Sequence, residues 1–77
     1  MLFMNNEMIF LLKEIRSKRV QLSYKQDYMA FKMSSSQNAY SKIELGVSKL
    51  TVLQLVKICQ ILDLDIGKLL APLMKAA

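Results

Sequence analysis

Helix-start signals recur at short intervals along this chain, and they limit what it can fold into. Ser36, Thr51 and Asp65 each stand just ahead of a stretch with helical apolar spacing. Thr51 is followed three residues later by Gln54, the spacing of a capping box. Each of these side chains offers an oxygen to the backbone N–H groups that a helix start leaves unpaired. Between such signals there is room only for short helices. With two Gly and one Pro among 77 residues, 53% of them hydrophobic, the composition favours compact helical structure over disorder.

Apolar spacing fills in the elements. From Glu7 to Val20, Met8, Leu12 and Ile15 fall at helical intervals with Ile9 and Leu11 beside them, and Asn5 or Asn6 can cap the start. Lys13, Arg16, Lys18 and Arg19 lie toward the end of this first helix, where cations complement the helix dipole. A second helix begins either from a capping box of Ser23 with Gln26 or at Lys25–Gln26; the sequence leaves both starts open. Met29, Ala30 and Met33 form its inward stripe, and small Ala30 admits a close neighbour.

Three serines, 34–36, then favour a turn, and Ser36 caps a short helix Gln37–Leu45 with Gly46 at its left-handed end. After a loop comes a fourth helix, Val52–Leu62, with Leu55, Ile58, Cys59, Leu62 and Leu64 at inward positions. A fifth runs from Ile66 to about Leu70, where Pro72 is expected to disturb its continuation. The expectation is one all-α domain of five helices over residues 1–77.

The same composition narrows function. Eleven Lys and Arg against six Asp and Glu give a net charge of +5, which suits a polyanionic partner. One cysteine and no histidine rule out a disulfide framework and speak against a structural zinc site or a triad-type catalytic base. Cys59 sits in an apolar run and reads as a small buried hydrophobe. No enzyme activity, metal or cofactor is expected. The apolar run Met8–Leu12 is too short for a membrane span or a signal segment, and Lys13 and Glu14 follow at once, so the expected setting is the cytoplasm without membrane attachment.

The short third helix has an unusual composition. Ala39, Tyr40 and Ile43 are its core-facing candidates, while Gln37, Asn38, Ser41 and Lys42 offer two amides, a hydroxyl and an amine. Gln and Asn present an adjacent acceptor and donor that match adenine N7 and N6, and Lys suits guanine O6 and N7. Any surface helix has a polar face, so this chemistry permits base contact without requiring it.

A helix with small Ala30, a short turn and then a polar-faced helix is the order of a helix-turn-helix unit. The stretches "IRSKR", "QDYMA", "SQNAYSKIELG" and "LTVLQLVKICQILDLDIGKLL" together resemble the Cro/C1-type (XRE-type) helix-turn-helix domain of phage repressors and small bacterial transcriptional regulators, over residues 10–70. The resemblance implies a compact five-helix lambda-repressor-like domain that binds double-stranded DNA. Two positions depart from the pattern: Ser34 stands where the family usually has Gly, and Ser35 where it has an apolar residue.

By the same resemblance the third helix enters the major groove and Gln37, Asn38, Ser41 and Lys42 contact bases. Gln26, Ser36, Ser48, Lys49 and Thr51 match positions that grip phosphate, although a Ser23 cap would turn Gln26 back onto its own backbone. Arg19 and Glu44 match an internal ion pair that braces the third helix, and Tyr40 stands at an apolar core position. Lys25 and Lys32 read as solvated charges.

In the back half, Leu53, Val56, Ile61, Leu69, Leu70 and Leu73 are more apolar side chains than a chain of this size readily hides. They suggest a homodimer surface, unless the first helix, with Phe10 and Leu11, covers them within one protomer. An antitoxin-like or other protein-interaction module on the same fold, with a protein partner on those residues, is the alternative to an operator-binding regulator.

Overall fold

The computed structural model describes residues 6–74, which form five α-helices and, among those residues, no strand. These are α1 (Asn6–Gln21), α2 (Gln26–Lys32), α3 (Gln37–Glu44), α4 (Val52–Leu62) and α5 (Ile66–Met74). Asn5, one of the two cap candidates, lies outside the described residues. Asn6 is already the first residue of α1.

One apolar core joins all five. Leu11, Leu12 and Ile15 supply it from α1, Met29 and Ala30 from α2, Tyr40 and Ile43 from α3. The α4 stripe of Leu55, Ile58, Cys59 and Leu62 completes it. Tyr40, Met29, Ile58 and Leu62 have no exposed surface, and burying one side chain of this kind is worth about 1.5–3 kcal/mol. α1 packs across α4, α5 and α3, and α2 packs most extensively on α3. Ala30 makes that last approach possible, because its side chain ends at Cβ and is 1% exposed. Leu69 also belongs to this core at 7% exposed, which corrects its placement on a dimer surface. α5 turns that side chain inward toward α1, and Ile61 and Leu70 pack partly against the same core.

Four helices end in one motif. After α1, Tyr24 N donates to Arg19 O at 3.0 Å and Ser23 N to Val20 O at 2.9 Å. The same pair of bonds closes α2 through Ser35 and Ser34, α3 through Val47 and Gly46, and α4 through Leu64 and Asp63. Such an end requires a left-handed residue. Ser23, Ser34, Gly46 and Asp63 hold it, with φ of 61°, 55°, 77° and 55°. Only one of the four is glycine, so three L-residues carry backbone strain at their helix ends.

This motif decides the start of α2. Ser23 is committed to the left-handed end of α1 and cannot take the extended backbone of an N-cap. The Ser23–Gln26 capping box therefore does not form. Lys25, extended at φ −82° and ψ 160°, precedes α2 and gives it no side-chain cap.

The starts of α3, α4 and α5 are capped by side chains. Ser36 Oγ accepts from Ala39 N at 3.1 Å. Thr51 Oγ1 accepts from Gln54 N at 3.1 Å while Gln54 Oε1 accepts from Thr51 N at 2.9 Å. Asp65 Oδ1 accepts from Lys68 N at 3.1 Å. At the far end, α5 continues through Pro72 to Met74 instead of stopping near Leu70. Pro72 removes one hydrogen bond, to the carbonyl of Lys68 four residues earlier, and both residues are exposed, so water can serve that carbonyl.

Candidate nucleic-acid interface

α3 divides sharply by exposure. Tyr40 and Ile43 are buried, whereas Gln37, Asn38, Ala39 and Lys42 are exposed and Ser41 is half-buried. The division follows from helical geometry: positions three apart share a side, so Tyr40 and Ile43 point together into the core. What remains outside are the amides, the amine and the hydroxyl.

Beside this face lies an open groove of about 300 Å³, lined by Ser36, Asn38, Ala39, Lys42, Ile43, Ser48, Lys49 and Gln54. The fold thus brings Asn38 and Lys42 of α3 together with Ser36 at its cap and Ser48 and Lys49 of the following loop. Gln37, Ser41, Gln26 and Thr51 are not part of the groove's lining. Gln54 is, and the sequence reading had given it only a capping role. The capping box places it in the first turn of α4 but does not place that turn beside α3. Two ammonium groups with several N–H and O–H donors along one groove have the chemistry to meet phosphate oxygens.

An ion pair sits behind α3. Arg19 Nε donates to Glu44 Oε2 at 2.8 Å and Arg19 Nη2 to Glu44 Oε1 at 2.9 Å, a two-pronged geometry. Arg19 Nη1 also donates to the carbonyl of Tyr24 at 2.9 Å, so the guanidinium ties the α1–α2 connection to the end of α3. The side chains of Arg19 and Glu44 are only 11% and 3% exposed. Burial works to raise the Glu44 pKa. Arg19, together with the neighbouring Tyr40 hydroxyl and the Gln26 amide, outweighs it and holds the carboxyl below its usual value. The hydrogen bond to Glu44 raises Arg19 in turn.

For Tyr40 burial and its charged neighbour act in the same direction. Burial first, and then the Glu44 carboxylate, push its phenol well above the ordinary value, so it stays neutral. Its hydroxyl is buried near Glu44 without a well-formed hydrogen bond. Cys59 is likewise held protonated, by burial and then by Asp65. The Tyr28 ring leans on Tyr24 with centroids 4.5 Å apart and planes at 45°, which places it against the α1–α2 connection.

Among the described residues no cluster of His, Cys, Asp and Glu is arranged to hold a metal ion, and no helix is long and apolar enough to cross a membrane. Exposed apolar side chains gather instead around the α3–α4 connection and the start of α4. Leu45 and Val47 are 65% and 57% exposed, Val52 and Leu53 75% and 81%, and Val56 37%. Of the other dimer candidates, Ile61, Leu70 and Leu73 are half-buried.

Comparison with known families agrees with this architecture. A helix-turn-helix family model, of the Cro/C1 (XRE) type, matches residues 15–69. The match begins on the inner stripe of α1 and ends at the core residue of α5, so it takes in the turn, α3 and the groove. No curated protein and no solved structure matches the chain. The match covers most of the chain, and the protein belongs to the Cro/C1-type helix-turn-helix family of DNA-binding transcription regulators.

Proposed function

We propose that the protein is a sequence-specific transcriptional regulator of the cytoplasm that binds double-stranded DNA as a homodimer, with α3 in the major groove. The observation that carries this reading is the juxtaposition along one groove of Asn38 and Lys42 with Ser36, Ser48 and Lys49. Gln37, Asn38, Ser41 and Lys42 read base edges. Gln26, Ser36, Ser48, Lys49 and Thr51 hold phosphates and set the register without reading sequence.

The dimer half of the reading is supported by apolar exposure at Leu53 and Val56, with Leu45, Val47 and Val52 beside them. Ile61, Leu70 and Leu73 extend the same contact from partly buried positions. A twofold pair would set two α3 helices one DNA turn apart, ~34 Å, facing a near-palindromic operator. Control then operates through protein concentration, since a dimer forms and occupies its site by mass action.

Selection of binding sites from a random duplex library, with affinity read at two salt concentrations, tests the whole reading. It predicts an inverted repeat with half-sites about one turn apart. Weak, salt-erased binding without sequence preference, together with tight association to a different protein through the Leu53–Val56 face, would instead establish an antitoxin-like interaction module.

A further inference from the structure

Glu44 holds more than a guanidinium. Besides its two bonds from Arg19, its Oε1 accepts a hydrogen from Gln26 Nε2 at 3.4 Å. A carboxylate on the last residue of α3 thus grips the first side chain of α2. The two residues stand 18 positions apart, so no local backbone preference produces the contact. Because α2 has no side-chain cap, Gln26 is also not engaged in capping its own helix.

A carboxamide nitrogen carries two hydrogens, and the carboxylate takes one of them. The other remains available while the amide is held in place. A surface Gln normally loses rotamer freedom when it meets a ligand; here Glu44 has already restricted it. Three groups face the carboxylate from the surrounding elements: Arg19 from α1, Gln26 from α2 and Tyr40 from α3 itself. Arg19 cancels the charge that would otherwise repel a nearby phosphate.

We propose that Glu44 is a positioning residue for the α2 side of the DNA interface, presetting the Gln26 amide so that its second N–H donates to a phosphate. This rests on the DNA-binding reading above and assigns Glu44 no contact with DNA. Its consequence is that an internal brace and a sequence-independent grip share one carboxylate.

Glu44→Asp tests it, because the shorter side chain keeps a carboxylate opposite the Arg19 charge while drawing back the Oε1 that Gln26 shares with Arg19 Nη2. Affinities are measured for the wild type, E44D, Q26A and the double variant on two duplexes of unrelated sequence, with thermal unfolding of each. E44D and Q26A should each weaken binding roughly three- to tenfold on both duplexes, and the double variant should be no weaker than Q26A. A folded E44D with wild-type affinity, or losses that multiply in the double variant, overturns the proposal. If E44D does not fold, side-chain amide exchange in the 15N-labelled wild type decides. Gln26 protected relative to exposed Gln37 supports the contact, and equal exchange overturns it. A wild type that binds no duplex removes the DNA reading itself, even where the exchange shows the Gln26–Glu44 bond intact.

Discussion

α3 and α4 are built alike and turn different chemistry outward. Each opens on a hydroxyl cap that accepts from the third backbone N–H at 3.1 Å, and each closes with the same left-handed motif. Each buries a stripe of apolar side chains in the common core. Yet α3 leaves Gln37, Asn38 and Lys42 in solvent, whereas α4 leaves Val52, Leu53 and Val56 at its start, with Lys57 and Gln60 further along. Forming a helix and docking it explain the inner faces equally well and explain neither outer face. Fold follows from the shared half of the pattern and function from the half that differs. In the proposed reading, a polar face that can match base edges and an apolar face that can match its own copy are complementary parts of one dimeric DNA-binding unit.

The two helices also differ in how they are held. α3 is short, and a bidentate ion pair braces its C-terminal end; α4 relies on apolar contact through Leu55, Ile58, Cys59 and Leu62. Breaking the brace should therefore have the largest effect of any single change. Arg19→Ala leaves Glu44 buried without its cationic partner and should cost about 3–5 kcal/mol of stability, measured by denaturant unfolding. Acid probes the same pair. Glu44 titrates below its ordinary value of 4.5, so its stabilisation is present above that pH and is lost as pH falls through the lower folded value. An unfolding series in acid should show this loss in the wild type, and Glu44→Gln should abolish that component of it.

On the outer faces, the comparison predicts effects on binding with little change in stability. Gln37→Ala should cost about 1–3 kcal/mol against the best duplex and relax base preference there. Lys49→Ala, in the loop between the helices, should weaken every duplex alike and reduce the salt slope by about one. Equal, sequence-independent losses from both would contradict the assigned roles. Leu53→Glu on the α4 face should abolish self-association in sedimentation while leaving the unfolding free energy of the monomer within about 0.5 kcal/mol, because the residue is 81% exposed. The smallest effect belongs to the turn that orients α3. Ser34 holds φ 55° where glycine would be unstrained, and Ser34→Gly should stabilise by about 0.5–1 kcal/mol.

Much of this was legible in the chain because its signals are local. Ser36 as a cap, the Thr51–Gln54 box and the inward stripe of α4 depend on spacings of three and four residues, which sequence displays directly. The failures have a common physical origin. Ser23 can cap one helix or end another, and only the packing of α1 against the following turn decides which. Pro72 is expected to disturb α5, but Lys68, whose carbonyl it deprives of a donor, is exposed, and the helix continues through it. Leu69 was assigned outward because its inward contact is with α1, far away in sequence. Gln26 reaching Glu44 and Gln54 entering the groove are likewise long-range meetings that no spacing announces. For the interface, residue types supplied the chemistry, and the fold supplied the neighbours: Ser48 and Lys49 matter because the loop returns them to the side of α3 that carries Asn38 and Lys42.

The contrast between α3 and α4 can be read in one experiment. Backbone amide shifts of the 15N-labelled protein would be recorded while a selected duplex is added, and separately while the protein alone is diluted. The account predicts that duplex perturbs residues 36–42 and 48–51, and that dilution without DNA perturbs residues 52–56. A duplex that leaves the α3 signals unmoved and shifts those of Leu53 and Val56 instead would contradict it.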